Sequence, residues 1–173
     1  WRSRGFLLAM GIILLLGIGL RLPRISLSYW GDEGWAAEYY VHGQYEPTVE
    51  GQPQGELKFT PHTWSTALWN DQNGGNHYLF SITQMATLKL WRWWQDLPPT
   101  AFDETISRLP PLAAGLASLL VAGLFGAWLG HRWLGVLLAL ALALHPWHIR
   151  YSTEARGYSM TFLFLLCLLW LLM

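Results

Sequence analysis

Only one of the 173 residues is cysteine, Cys167, and only 13% are charged. A single cysteine excludes an intrachain disulfide and a cysteine-rich metal site. Eleven basic residues balance eleven acidic ones, so the formal net charge is zero. That removes the basic footprint that nucleic-acid binding requires, and no nucleic-acid partner is expected. Internal repeats and low-complexity tracts are also missing. The chain is instead apolar and aromatic: 53% of it is hydrophobic and twelve residues are Trp. It begins at Trp1 and stops at Met173 inside an apolar run, as a piece of a longer protein would.

The first apolar run, GFLLAMGIILLLGIGL, is flanked by Arg2, Arg4 and Arg21. Continued to Leu22, a helix here reaches about 27 Å, close to the thickness of a bilayer's hydrocarbon core. A cleaved signal peptide would have a small-residue cleavage site, and RLPRISLSYW supplies a poor one. Three further runs follow, at 109–129, 133–149 and 158–173. One such run alone reads equally as a buried core helix; four in one short chain favour membrane spans.

A fifth helix is predicted over 76–94. Its Leu79, Ile82, Met85, Ala86 and Leu90 recur at spacings of three and four, against Ser81, Thr83, Gln84, Lys89 and Arg92. Trp91, Trp93 and Trp94 crowd its end, as at a headgroup boundary. It is expected to lie on the membrane rather than cross it. Placing Arg2 and Arg4 in the cytoplasm then puts residues 23–108 and a short loop near 148–158 on the outer face. The inner turn carries His131 and Arg132, as the positive-inside rule prefers. Arg21, Arg24 and Arg150 on the outer side count against this topology unless an anion binds there. Within the outer segment a helix is predicted over 33–42. EPTVEGQPQGELKFTP after it reads as irregular loop, with no strand. The fold class is therefore an all-α polytopic membrane bundle, with juxtamembrane amphipathic helices in a large first extracytoplasmic loop.

Three polar clusters stand out. Asp32 and Glu33, in LSYWGDEGWAAEYY, begin the 33–42 helix. Asp32 reads as its N-cap and Glu33 as a dipole partner. Beside a bilayer the same pair reads as a general base or metal ligand. The second cluster, WNDQNGGNHY, brings Asp71, Asn73, Asn76 and His77 to a Gly-Gly turn. It is either a turn before a capped helix or a contact for metal or sugar hydroxyls. The third, HPWHIRYSTEARGYS, places Arg150, Tyr151, Glu154, Arg156 and Tyr158 where two apolar runs meet. It is either a neutralising ion pair with interfacial tyrosines or a phosphate site, which the planar guanidinium suits. His145 and His148, three apart, are too few for a metal site on their own.

In order, the DE pair, the amphipathic helix after an Asp/Asn/His turn, SRLPPLAAGLAS and YSTEARGYS resemble the N-terminal membrane module of GT-C glycosyltransferases. Within that superfamily the chain is similar to protein O-mannosyltransferases and lipid A aminoarabinose transferases. The resemblance covers almost the whole chain. It departs from the family at NHYLF, where a proline-rich motif is usual. Members are longer, with more spans.

The resemblance implies a membrane enzyme that moves a sugar from a polyprenyl-phosphate donor to an acceptor hydroxyl on a glycan, lipid or protein, with inversion. It implies Asp32 as base or metal ligand with Glu33 beside it, and Glu154 and Arg156 at the EAR motif. A divalent cation (Mg, Mn or Ca), held by Asp32 and Glu154, is expected with it. Arg150, Arg156, Asp71, Asn76, His77 and Tyr151 are the expected substrate contacts. A non-catalytic lipid-carrier binder or scaffold of the same fold is the second reading. A transporter segment is a third, disfavoured because the ionisable groups sit at the ends of the spans rather than midway along them.

Overall fold

The computed structural model describes residues 4–48, 56–70 and 75–173. Helices hold 73% of the described residues and strands 6%, so the architecture is mostly helical. In chain order the elements are α1 (Arg4–Ile25), α2 (Gly31–Ala37) running into a π-helical turn (Glu38–His42), β1 (Gly43–Pro47), β2 (Leu57–Pro61), α3 (Trp64–Trp69) and α4 (Tyr78–Gln95). Then come α5 (Glu104–Ser107), α6 (Leu109–Trp128), α7 (Arg132–Leu144), α8 (Pro146–Tyr151) and α9 (Tyr158–Leu172). The chain divides into two compact units: Trp1–Leu27 with Arg108–Met173, and Ser28–Ser107.

The first unit is a helical bundle. Along α1 the buried residues are Phe6, Met10, Ile13, Gly17 and Arg21, a stripe at spacings of three and four. Phe6, Met10 and Ile13 pack with Leu119 of α6 and with Ala139 and Ala143 of α7. The opposite side of α1 shows Leu7, Leu8, Ile12 and Leu15 to the outside. Helices α6 and α7 meet at backbone distance: a Cβ on Gly126 would lie 2.6 Å from the Gly135 Cα. Small residues make that approach possible, and bulk there would force the helices apart.

Two helices, α1 and α6, are long and apolar enough to cross a membrane. Helices α7 and α9 are shorter, with 13 and 15 residues, or about 20 and 22 Å. The apolar run 133–149 is two helices rather than one. α7 ends at Leu144, His145 is extended (φ −67°, ψ 120°), and Pro146 starts α8. Proline disfavours the α conformation in the residue before it, and its own fixed φ suits a first helical position.

The second unit wraps the π-helical turn, α3 and α4 around Ala36, Tyr40, Val41, Ala67, Met85 and Leu88. It contains the hairpin that the sequence reading omitted. Strands β1 and β2 pair antiparallel, with Tyr45 opposite Phe59 and Glu46 opposite Lys58. The two rings lie 5.3 Å apart. Aromatic and opposite-charge cross-strand pairs of this kind stabilise a hairpin by roughly 0.2–1 kcal/mol each. Pro47 and Pro61, which argued for loop, occupy strand ends, where a missing N–H is tolerated. Gly43 begins β1 at φ 132°, and a side chain there would strike the Thr60 carbonyl.

Helix α4 packs into the unit partly through polar residues. Ser81 and Gln84 are buried beside Phe80, Met85 and Leu88. Of the predicted apolar stripe, Leu79, Ala86 and Leu90 are exposed, as are Trp93 and Trp94, while Met85 is buried. The polar side chains turn inward because the unit supplies partners: Ser81 donates to Asn76 Oδ1 (2.7 Å), and Gln84 Nε2 donates to the Tyr29 hydroxyl (3.2 Å).

Candidate functional site

The adjacent acids Asp32 and Glu33 do not share an environment. Trp30, not Asp32, is the N-cap of α2. An indole ring cannot accept a hydrogen bond, so the third helical residue caps in reverse: Glu33 Oε2 accepts the Trp30 N–H at 3.4 Å. Glu33 is buried, at 1% exposure, whereas Asp32 is exposed. Successive helical residues point about 100° apart, which accounts for the split. The expectation that Asp32 caps the helix is thereby corrected, and the exposed carboxylate of the pair is Asp32. Nearby in the same unit, Tyr29 donates its N–H to Glu104 Oε2 (2.8 Å) and bonds through its hydroxyl to Ser107. The sequence reading did not single out this group.

Asp71 and Asn73 of the second cluster lie outside the described residues. Asn76 has a structural task. Its amide donates to the carbonyls of Ala67 (3.0 Å) and Asn70 (2.9 Å), and its oxygen accepts from Ser81. Both amide hydrogens are therefore spent on the end of α3, and none is left for a sugar hydroxyl. His77 occupies the N-cap position of α4 without a side-chain cap bond.

The third cluster lies wholly in the first unit. Residues 152–156 follow α8 as irregular backbone and are all buried, including Glu154 and Arg156. Arg150 Nε meets Glu154 Oε1 at 2.6 Å, while Glu154 Oε2 is buried with no hydrogen-bond partner. The Arg150 guanidinium also lies 5.4 Å from the Trp147 ring, and that of Arg156 lies 5.9 Å from the Tyr158 ring. Arg24 Nε donates to Thr153 Oγ1 at 3.3 Å. Tyr151 stacks on Trp147 at 5.6 Å and lies tilted against Tyr158 at 4.8 Å.

Two cavities meet at Trp147. One, about 420 Å³, has mostly apolar surface and is lined by Leu142, His145, Trp147, His148, Tyr151, Tyr158 and Leu165, among others. The other, about 460 Å³, is lined by Arg24, Pro146, Trp147, Ile149 and Arg150. Trp147 therefore lines both an apolar cavity and a cation-lined one.

Beneath them is a network absent from the sequence reading. Arg21 is fully buried. It donates to Ser152 Oγ (2.8 Å), to the Gly17 and Ala143 carbonyls (2.9 and 3.4 Å), and to His148 Nδ1 (2.7 Å). Guanidinium only donates, so His148 Nδ1 is the unprotonated nitrogen. Nε2–H then donates to Ser118 Oγ (2.7 Å), whose own hydrogen goes to the Gly115 carbonyl. Among the described residues Arg21 has no carboxylate partner. Three of its four acceptors instead tie α1 to α7 and to α8 where the Glu154 segment begins. The available signal was a charged residue in the last turns of an apolar helix, four positions after Gly17.

Among the described residues no three His, Cys, Asp or Glu side chains gather into a group able to hold a metal ion. Glu154, an expected ligand, has one oxygen on the Arg150 guanidinium. The other expected ligand, Asp32, belongs to the second unit. No protein-family model matches the chain, and neither a curated protein nor a solved structure is significantly similar to it.

Proposed function

We propose that the chain is the donor-binding part of a multi-pass membrane glycosyltransferase, which moves a sugar from a polyprenyl phosphate to an acceptor hydroxyl on the extracytoplasmic face. The observation that carries this reading is the pair of cavities joined at Trp147. An isoprenoid phosphate is an apolar chain ending in an anion. The aromatic cavity suits the chain, and the cavity of Arg24 and Arg150 suits the phosphate. Glu154 holds the Arg150 guanidinium in place, which reduces the cost of ordering it around a ligand.

In the reaction, the acceptor oxygen attacks the anomeric carbon as the bond from that carbon to the phosphate oxygen breaks. The hydroxyl proton passes to Asp32, the exposed carboxylate of the pair. Charge developing on the departing phosphate is met by arginine, with Arg150 foremost and Arg156 as a second contact. Glu33 orders α2 and so positions Asp32. The acceptor, whether glycan, lipid or protein, brings the hydroxyl.

A second reading, a lipid-carrier binder without transfer, is favoured by one fact: the two acids diverge, while the binding features converge. Binding of a short polyprenyl phosphate to the purified protein tests what the readings share. Arg150→Ala is expected to weaken it by about tenfold or more, the loss of a charge-assisted contact. Unchanged binding in Arg150→Ala and in an Arg24→Ala, Arg150→Ala double variant would refute the site.

A further inference from the structure

A different cavity, within the second unit, belongs to none of the clusters above. Lys89 and Arg92 are three residues apart on α4 and so share one face of the helix. Opposite them run the end of β2 and the start of α3, giving His62 and Trp64; Leu97 and Pro99 complete the wall. The space between is about 480 Å³, within the range of small-molecule sites.

The electrostatics of this cavity are one-sided. Among the described residues no carboxylate lines it, and neither Lys89 nor Arg92 pairs with one. Lys89 Nζ rests over the Trp64 ring at 4.7 Å. Arg92 Nε donates to the Ala101 carbonyl (2.8 Å), and Arg92 Nη2 donates to His42 Nδ1 (2.8 Å). These bonds fix the guanidinium plane and use two of its five N–H donors, leaving three. The histidines bring no compensation. Burial, with Arg92 and His62 close by, pushes His42 down to about 4, so it stands neutral. His62 spends Nε2–H on the Glu38 carbonyl (2.7 Å). Lys89 and Arg92 therefore face the cavity with no carboxylate among the described residues to neutralise them, and burial lowers Arg92 below its usual value.

We propose that this cavity binds a phosphate ester, with Lys89 and Arg92 meeting the oxyanion and the wall of Trp64, Leu97 and prolines receiving the organic body. Three remaining guanidinium donors and an ammonium exceed what a carboxylate's two oxygens require and match a phosphate. The ester is either a soluble sugar or glycerol phosphate, or the headgroup of an anionic phospholipid. The site does not depend on glycosyl transfer, so its test stands apart from that reading.

Isothermal titration of the purified, detergent-solubilised protein provides the test. The probes are glycerol 1-phosphate, and micelle-dispersed phosphatidylglycerol beside phosphatidylcholine. Saturable binding of glycerol 1-phosphate supports the site with a soluble ligand. Binding of phosphatidylglycerol in preference to phosphatidylcholine, without glycerol 1-phosphate binding, supports it with a lipid headgroup. In either case Lys89→Gln, at an exposed position that leaves the Arg92 bonds intact, is expected to weaken binding by about tenfold. Failure of glycerol 1-phosphate to bind together with equal response to the two lipids, or binding unchanged in Lys89→Gln, overturns the proposal.

Discussion

The two units distribute polarity in opposite ways. The first hides charge: Arg21, Arg108, Glu154 and Arg156 are buried, while leucines of α1 and α9 face outward. Arg108 caps the end of α1 by donating to the Ile25 carbonyl at 3.0 Å. The second keeps its cations at the surface or in a cavity wall and shows large aromatics outside, with Trp93 and Trp94 about three-quarters exposed. A water-soluble domain avoids both patterns, since unpaired buried charge and contiguous exposed apolar surface are each costly. The first unit holds its buried Arg21 by hydrogen bonds alone, although one oxygen of the buried Glu154 has no hydrogen-bond partner. In the second, no described carboxylate pairs with Lys89 or Arg92.

The largest effect is expected from breaking the interior network. Arg21→Leu preserves apolar bulk but strips acceptor Nδ1 of His148 and Oγ of Ser152 of their donor. Loss of charge-assisted bonds at buried acceptors costs about 3 kcal/mol. Thermal unfolding in detergent should show the first unit melting well below the parent. A melting point within a degree of the parent would mean that the arginine contributes nothing to holding α1 against α7 and α8.

A smaller, pH-dependent effect is expected in the second unit. His42 ordinarily titrates near 6.5, and in the folded unit near 4. The unfolded chain therefore binds the proton more readily between these values, so stability rises with pH across that window and is lost as pH falls through it. The contribution is on the order of 1 to 2 kcal/mol once partial exposure is discounted. His42→Phe should flatten the melting temperature between pH 4 and pH 6.5; a slope equal to the parent's would assign the dependence to another group.

Much of the helical framework was legible from residues alone. The apolar run from Gly5 to Leu22 lies within the helix Arg4–Ile25, and the predicted helix 76–94 is Tyr78–Gln95. What escaped was set by contacts distant in sequence. The hairpin depends on pairing Tyr45 with Phe59 across residues whose prolines and glycines argue locally for loop. The inward turn of Gln84 depends on Tyr29, 55 positions away. Arg21 looked like a flanking charge because its partner Ser152 lies 131 residues on. Asp32 and Glu33 were legible as a motif, but which of them stands exposed follows from how α2 packs.

The most direct test of the proposed activity is sugar transfer by Asp32→Asn. The intact protein is assayed in membranes with a polyprenyl-phosphate sugar, with transfer and membrane expression measured together. The substitution keeps the side chain's size and removes its charge and basicity. Because Asp32 is exposed and is not the cap of α2, the fold should survive. Loss of a general base predicts a fall of about 10²- to 10⁴-fold in the transfer rate at normal expression. Transfer at the parental rate by a normally expressed Asp32→Asn protein would contradict the account.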